Sequence, residues 1–203
     1  VLYKSKILPP LTTVNGKVIH RDWDYLQYFI SEARRLGLKV TVSTAMFPSG
    51  HPATREGLVY DEPRWDGKTC LEYTPGGKML DIREDKKKVG AFLNPVRKDV
   101  RKFALSIVRE IVKNYDVDAY ALDYCRYPGD DSDFSIDSQK AFERYLGKKI
   151  QNFPDDIFTW NTDGTKKPGI YYKEWWAFRA NVITSFVKEV RKEIHSINKK
   201  VEL

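Results

Sequence analysis

The chain has 203 residues, of which 41% are apolar, 31% charged and 13% aromatic, and its formal net charge is +7. This composition excludes a disordered chain, and because no apolar run approaches the roughly 20 residues of a membrane-spanning helix, we expect no membrane span. Lysine and arginine alternate with glutamate and aspartate along the expected helix faces, which favours a solvated surface over attraction to an acidic ligand and argues against a nucleic-acid partner.

The first half of the chain alternates between strand and helix patterns. Residues 1–8 are typical of a buried strand and lead to a Pro-Pro pair. Asp22 is a candidate N-cap for a helix that ends at Gly37, and the β-branched run at residues 38–47 predicts a second buried strand. We expect the helix to bury one apolar face, formed by Trp23, Leu26, Phe29, Ile30 and Ala33.

The second half continues the alternation with longer helices. Pro95 stands where a helix begins, and the apolar spacing that follows continues to Tyr115. Residues 117–124 predict the next strand, and a short helix is expected at residues 139–150. A long amphipathic helix is expected over residues 172–198, after which residues 199–203 begin a last strand.

The predicted order is therefore β-α-β-α-β-α-β, the pattern of a parallel sheet with right-handed crossovers. The helix-to-strand turns are short, whereas the strand-to-helix connections at residues 48–94 and 125–171 have about 45 residues each, against a usual ~2–6. This elaboration lies beyond the carboxyl ends of the strands. That edge of the sheet holds the active site in parallel α/β folds.

A complete (β/α)-barrel needs more strands than this sequence supplies, because closure takes about eight strands and about 250 residues. The chain starts and stops inside predicted strands, which favours a cut piece of a larger barrel over a small open sheet. We expect residues 1–203 to form one α/β domain of TIM-barrel type, continued on both sides in the parent protein.

The segment AYALDYCRYP, residues 119–128, holds the strongest candidate for chemistry. Asp123 ends a hydrophobic strand, where a carboxylate is costly unless it is paired or used. Arg126 would keep this carboxylate ionised, which suits a nucleophile or a stabiliser of positive charge and not a proton donor. Tyr124 and Tyr127 offer the flat faces and hydroxyls that sugars bind. A structural Asp–Arg pair explains the same residues equally well.

Two stretches of the sequence, AFLNPVRKDVRKFALSIVREIVKNYDVDAYALDY and ALDYCRYPGDDSDFS, resemble the glycosyl hydrolase-like family ten. In that family an LNP motif opens a helix, and the next strand ends in an Asp-Tyr pair followed by an aromatic-Pro pair. The resemblance implies a (β/α)8 barrel distantly related to the α-amylase clan, of which this chain supplies strands two to five. It also implies a bacterial protein at the cell surface, in the periplasm or outside the cell. The implied substrate is a glycan, for example the glycan strands of peptidoglycan.

The same resemblance makes Asp123 the nucleophile at the end of strand four. The arginine of the amylase pattern falls on Ala121 here, so the role of Arg126 is not carried over. The clan's proton-donating glutamate comes from the end of strand five, which places it just past Leu203, since Glu202 lies too early in that strand. A carbohydrate-binding barrel without catalysis is the alternative function.

Three further residues are weaker candidates for substrate binding. His51 follows the strand at 38–47, where amylase-like barrels place a sugar-contacting histidine, although a surface position explains a lone histidine as well. Asn94 of the LNP motif either caps its helix or faces the cleft. Trp65 either stacks on a sugar ring or fixes the long loop.

The sequence supplies no pattern for a metal ion or cofactor, and we expect neither. Cys70 and Cys125 lack the CxxC spacing and histidine partners of a zinc site. The acidic run Asp130, Asp131 and Asp133 lacks the spacing of a calcium loop, which favours a solvated turn.

Overall fold

The structure, a computed structural model, describes residues 1–14, 17–19 and 22–203. In chain order the described elements are strands β1 (Thr13–Val14) and β2 (Lys17–Val18), helix α1 (Tyr25–Arg35), strand β3 (Thr41–Ala45), helix α2 (Leu58–Asp61), strands β4 (Leu71–Tyr73) and β5 (Met79–Asp81), helix α3 (Lys98–Asn114), strand β6 (Ala119–Asp123), helix α4 (Ile136–Leu146), strands β7 (Phe158–Trp160) and β8 (Lys166–Pro168), and helix α5 (Tyr172–Ile197). Short 3-10 helices occupy Pro63–Trp65 and Ile82–Glu84. No helix among these residues has the length and apolar character to cross a membrane.

The chain divides into two compact units. The first, here called the strand unit, comprises Val1–Thr44, Phe103–Asp123 and Lys188–Leu203. The second, here called the loop unit, comprises Ala45–Lys102 and Tyr124–Val187 and contains both long strand-to-helix connections. Each unit is described separately below.

The strand unit carries the parallel strands of a mixed α/β fold. β3 and β6 are neighbours in one sheet, as the β-branched runs predicted. Beside β6, Ala119 forms an isolated parallel bridge with Glu202, within the segment where the sequence predicts the start of a last strand. Closure into a barrel remains a prediction.

The predicted strand at residues 1–8 is wrong. This segment has no strand ladder, because side chains satisfy its backbone donors instead. Glu110 accepts from the backbone N–H of Lys6 (2.6 Å) and from the hydroxyl of Tyr3 (3.0 Å). The Ser5 hydroxyl oxygen accepts from Ile7 N (3.0 Å) and Leu8 N (2.9 Å). These bonds fold the segment into tight turns.

Helix α1 begins later and buries less than its pattern predicted. Its N-cap is Asp24, whose carboxylate accepts from Gln27 N at 3.0 Å. Ile30 and Ala33 are buried, but Trp23 and Phe29 are 46% and 53% exposed. The strand unit covers only a narrow stripe of the helix, so the broad apolar face predicted from spacing was too wide.

The loop unit contains more regular structure than the sequence predicted. β4 and β5 form an antiparallel hairpin in the first connection, with Gly76 and Gly77 at φ 97° and 78° between them. β7 and β8 form a second hairpin in the other connection. Helix α4 lies several residues earlier than expected, because Ser135 caps its start and a left-handed Gly147 ends it.

An aromatic cluster forms the core of the loop unit. Trp175 is 1% exposed and its ring lies 5.1 Å from Phe134 and 4.9 Å from Phe142. Tyr73 packs against Phe158 with ring centroids 5.3 Å apart. α5 and α4 therefore hold both hairpins through aromatic side chains.

Candidate active site

Asp123 is the last residue of β6, and its side chain is exposed. The strand is anchored on its other side by Tyr120, which is 1% exposed and whose hydroxyl lies 2.5 Å from the Thr44 hydroxyl. Asp123 is thus a carboxylate presented by a fixed strand. It is not enclosed in packed hydrocarbon.

Hydrogen bonds and an ion pair of Asp118 hold the start of β6 in place. The Asp118 carboxylate accepts from Val40 N at 2.6 Å and from the Arg34 guanidinium at 2.5 Å. Both donors favour the charged form, so they hold the pKa of Asp118 below its ordinary value. β6 is therefore tied to the β3 segment before either strand reaches its carboxyl end.

The backbone turns sharply directly after Asp123. Tyr124 has φ 46°, in the left-handed region that a bulky aromatic residue rarely adopts. A residue in this conformation cannot continue a strand, so β6 stops at the carboxylate. Such a backbone costs about 1–3 kcal/mol and persists where the surroundings impose it.

Tyr124 and Arg126 form an exposed aromatic–cation cluster with Phe92 in the loop unit. The Tyr124 side chain is 36% exposed, and its ring lies 6.0 Å from that of Phe92. The Arg126 guanidinium lies 5.1 Å from the Tyr124 ring centroid and donates to the carbonyls of Tyr127 (3.1 Å) and Pro128 (3.3 Å). Among the described residues Arg126 forms no ion pair.

Tyr127 lies in the interior of the loop unit. It is 8% exposed, and the Arg179 guanidinium covers its ring at 4.5 Å. Burial raises the pKa of its hydroxyl well above the ordinary value. Because Arg179 covers one face of the ring and the residue is almost fully buried, Tyr127 packs beneath the surface.

Asn94 is a structural centre of the loop unit. It is 1% exposed, and its Oδ1 accepts from Val96 N at 2.9 Å, which turns the chain into α3. Its Nδ2 donates to Asp133 Oδ2 (2.5 Å) and Ser135 Oγ (2.9 Å). Asn94 therefore forms a turn just before α3, which begins at Lys98, and its amide does not reach solvent.

Asp133 receives the hydrogen bonds that organise this centre. Its carboxylate is completely buried and accepts from Leu71 N (2.6 Å), Asn94, Ser135 Oγ (2.5 Å) and Ser138 Oγ (2.6 Å). Burial raises its pKa, while these donors act in the opposite direction. The solvated turn predicted for the acidic run is wrong at this position.

The other two carboxylates of that run have basic partners. Asp131 pairs with Lys88 at 3.2 Å, and Asp130 pairs with Lys166 at 2.6 Å. Lys88 also lies 2.5 Å from the buried Glu72. Across residues 1–14, 17–19 and 22–203, no group of three or more His, Cys, Asp or Glu side chains is arranged to hold a metal ion.

The remaining two candidates lie in the first long connection. His51 is exposed in a tight loop, where its backbone pairs with that of Glu56. Trp65 is 3% exposed, with Arg64 and Lys68 over its ring at 4.8 and 5.7 Å. The His51 residue is exposed, whereas Trp65 is buried beneath these two basic side chains.

A comparison with known protein families covers the whole length of the chain. The glycosyl hydrolase-like 10 family matches residues 1–203. The chain belongs to the glycosyl hydrolase-like 10 family. This confirms the resemblance carried by the LNP and Asp-Tyr segments.

This member of the glycosyl hydrolase-like 10 family is similar to two individual proteins, one in sequence and one in structure. An S-layer-related protein of Niallia circulans is 38% identical over 174 residues, covering 84% of this chain and 11% of the relative. The structure of α-L-fucosidase isoenzyme 2 from Paenibacillus thiaminolyticus aligns with a TM-score of 0.55 and 16% identity, covering 95% of this chain and 24% of the fucosidase. The second likeness shows the fold alone, and the chain spans a small part of both proteins.

Sequence reasoning missed Arg179, which lies in the EWWAFR segment at the start of α5. Trp176 and Arg179 stand three apart on α5, and the guanidinium lies 4.5 Å from the Trp176 ring. An arginine among aromatic residues at helical spacing is the signal that could have identified this stack.

Proposed function

We propose that this chain is the nucleophile-bearing part of a glycoside hydrolase that acts on a polysaccharide or glycan strand. Asp123 carries the proposal, because it is an exposed carboxylate at the carboxyl end of a fixed strand in a glycosyl hydrolase-like chain. In this role it attacks the anomeric carbon or stabilises the positive charge that develops there.

Three accessible side chains are proposed to contact the sugar. Tyr124 is 36% exposed, Arg126 is exposed, and His51 is exposed on a separate loop. Tyr127, Asn94 and Trp65 are buried, so they are not proposed as direct sugar contacts. Aromatic faces and charged donors of this kind orient sugars by stacking and hydrogen bonding.

A glycosidase also needs a second carboxyl group about 5–10 Å from the first. We propose that it stands at the far end of the strand that begins beside β6, where Glu202 pairs with Ala119. Glu202 itself pairs with the start of β6, whereas Asp123 is at its end, so a later residue of the same strand is the proton donor.

The relative's description as an S-layer-related protein supports a position at the cell surface and a cell-wall or surface glycan as the substrate. The same description favours the second candidate, a barrel that binds carbohydrate without cleaving it, since surface layers are assemblies. The two functions differ in whether turnover depends on Asp123.

The test is glycan cleavage by the native protein that contains this chain, with Asp123→Asn introduced. The amide keeps the shape of the side chain but removes the charge and the nucleophile. We expect the release of reducing ends to fall by about 1,000-fold or more, with the thermal midpoint unchanged.

Asp61→Asn is the matched control, because Asp61 is an exposed aspartate of α2. It should leave turnover unchanged. Equal turnover in Asp123→Asn and wild type would exclude Asp123 as the nucleophile, and glycan binding by a wild-type protein that releases no reducing ends would favour the binding function.

A further inference from the structure

A groove of about 340 Å³ lies within the loop unit, between the segment after Tyr124 and helix α5. Arg126, Tyr127, Trp176, Arg179 and Ile183 contribute to its lining. Its size falls in the range of about 300–1,000 Å³ that is usual for small-ligand sites. Trp176 is 36% exposed, so its indole ring is a partly open apolar wall.

The groove rests on a buried positive charge. Arg179 is 5% exposed and lies between the rings of Tyr127 and Trp176, each 4.5 Å from the guanidinium carbon. Its Nη2 donates to the Gly129 carbonyl. Within the described ranges, its Nε and Nη1 have no hydrogen-bond partner and no carboxylate pairs with it.

The carboxylate that lines this groove forms its ion pair with a lysine and not with Arg179. Asp130 also lines the groove, but it pairs with Lys166 at 2.6 Å. Arg126 adds a second, exposed guanidinium whose described hydrogen bonds go to neutral carbonyls. Two cations without a carboxylate partner among the described residues thus face one groove. A buried charge of this kind is costly unless an anion compensates it.

We propose that this groove binds a negatively charged sugar residue, with its carboxylate drawn to Arg126 and its ring against Trp176. Arg126 is exposed and is the direct partner of the carboxylate. Arg179 acts from beneath the groove through its buried charge, which forms no ion pair among the described residues, since charges interact strongly where solvent is excluded. This inference rests on the proposed function, because it names an acidic glycan as the substrate class.

The experiment is titration calorimetry on the whole chain with carboxylate-bearing oligosaccharides. Galacturonate, mannuronate and glucuronate oligomers are each compared with the methyl ester of the same length, which keeps the sugar and removes the charge. We expect at least one acid to bind about tenfold or more tightly than its ester. Adding NaCl to about 0.5 M should reduce that preference, because salt screens Arg126.

Variants separate the contributions of charge and ring. Arg126→Gln should abolish the preference for the acid, and Trp176→Ala should weaken acid and ester alike. Arg179→Met, which keeps an apolar stem between the two rings, should reduce the preference in a protein whose circular dichroism is unchanged. Arg55→Gln is the control, because Arg55 is an exposed arginine of the same unit that pairs with Glu84.

Equal binding of every acid and its ester, an acid preference that survives Arg126→Gln, or no binding of any oligomer would overturn the inference. These outcomes do not depend on Asp123. An acid preference without Asp123-dependent cleavage would overturn the proposed catalysis alone. Asp123-dependent cleavage of neutral glycans without the preference would overturn the groove assignment alone.

Discussion

The interior of the strand unit and the interior of the loop unit are stabilised by different interactions. In the strand unit, main-chain pairing between strands is reinforced at one end by the Asp118 carboxylate, which is partly exposed beside Arg34. In the loop unit, aromatic rings around Trp175 and a fully buried carboxylate at Asp133 hold two hairpins and the irregular segments around them. The difference shows that a long connection can be as well packed as a sheet when its anchors are buried.

The largest expected effect tests the aromatic core of the loop unit. Trp175→Ala should lower the free energy of unfolding by about 3–5 kcal/mol, because it leaves a cavity among the rings of Phe134 and Phe142. Urea denaturation followed by circular dichroism measures it. Trp23→Ala, which removes a half-exposed tryptophan of the strand unit, should change stability by about 0.5 kcal/mol or less. Similar losses in both variants would contradict the contrast.

A smaller effect on stability is expected when the two structural carboxylates, Asp133 in the loop unit and Asp118 in the strand unit, are removed. Asp133→Ala should cost about 3 kcal/mol, because it leaves several buried donors without an acceptor. Asp118→Ala should cost less, because its side chain is 34% exposed and water can replace it at Arg34. The same urea titration on both variants decides the order. A greater loss in Asp118→Ala would mean that charge at the sheet edge matters more than the buried centre.

The smallest effect is a shared response to alkaline pH. Burial raises the pKa of Tyr120 in the strand unit and of Tyr73 in the loop unit to about 12 from an ordinary 10.0. Because the unfolded chain ionises first, both contributions are complete below about pH 10 and are lost as pH rises to about 12. Thermal midpoints measured across this range should fall. Tyr120→Phe and Tyr73→Phe should each make the fall shallower, and an unchanged slope in both would contradict this assignment.

The strand unit was largely predictable because its elements follow local periodicity. The β-branched run before Phe47 and the apolar spacing after Pro95 led to β3 and α3 within a few residues. The strand-end position of Asp123 followed from the same pattern. The strand prediction for residues 1–8 failed because the backbone N–H of Lys6 donates to Glu110, which is far away in the sequence and leaves no local signal.

The loop unit was less predictable because its anchors are tertiary. Asp133 looked like part of a solvated acidic run, and only the fold brings Leu71, Asn94 and Ser138 around it. The hairpin at Gly76 and Gly77 did carry a turn signal in its Pro-Gly-Gly sequence. Tyr127 was assigned to sugar binding from its type alone, whereas Arg179 on α5 covers its ring.

The left-handed backbone at Tyr124 restricts which residue types can occupy this position beside the Asp123 carboxylate. Valine, isoleucine and threonine clash in this conformation, whereas glycine and asparagine enter it readily. A library that randomises position 124 should therefore return a narrow set of functional residues. The backbone geometry of one residue, and not only the chemistry of its side chain, then limits which side chains this surface can carry beside Asp123.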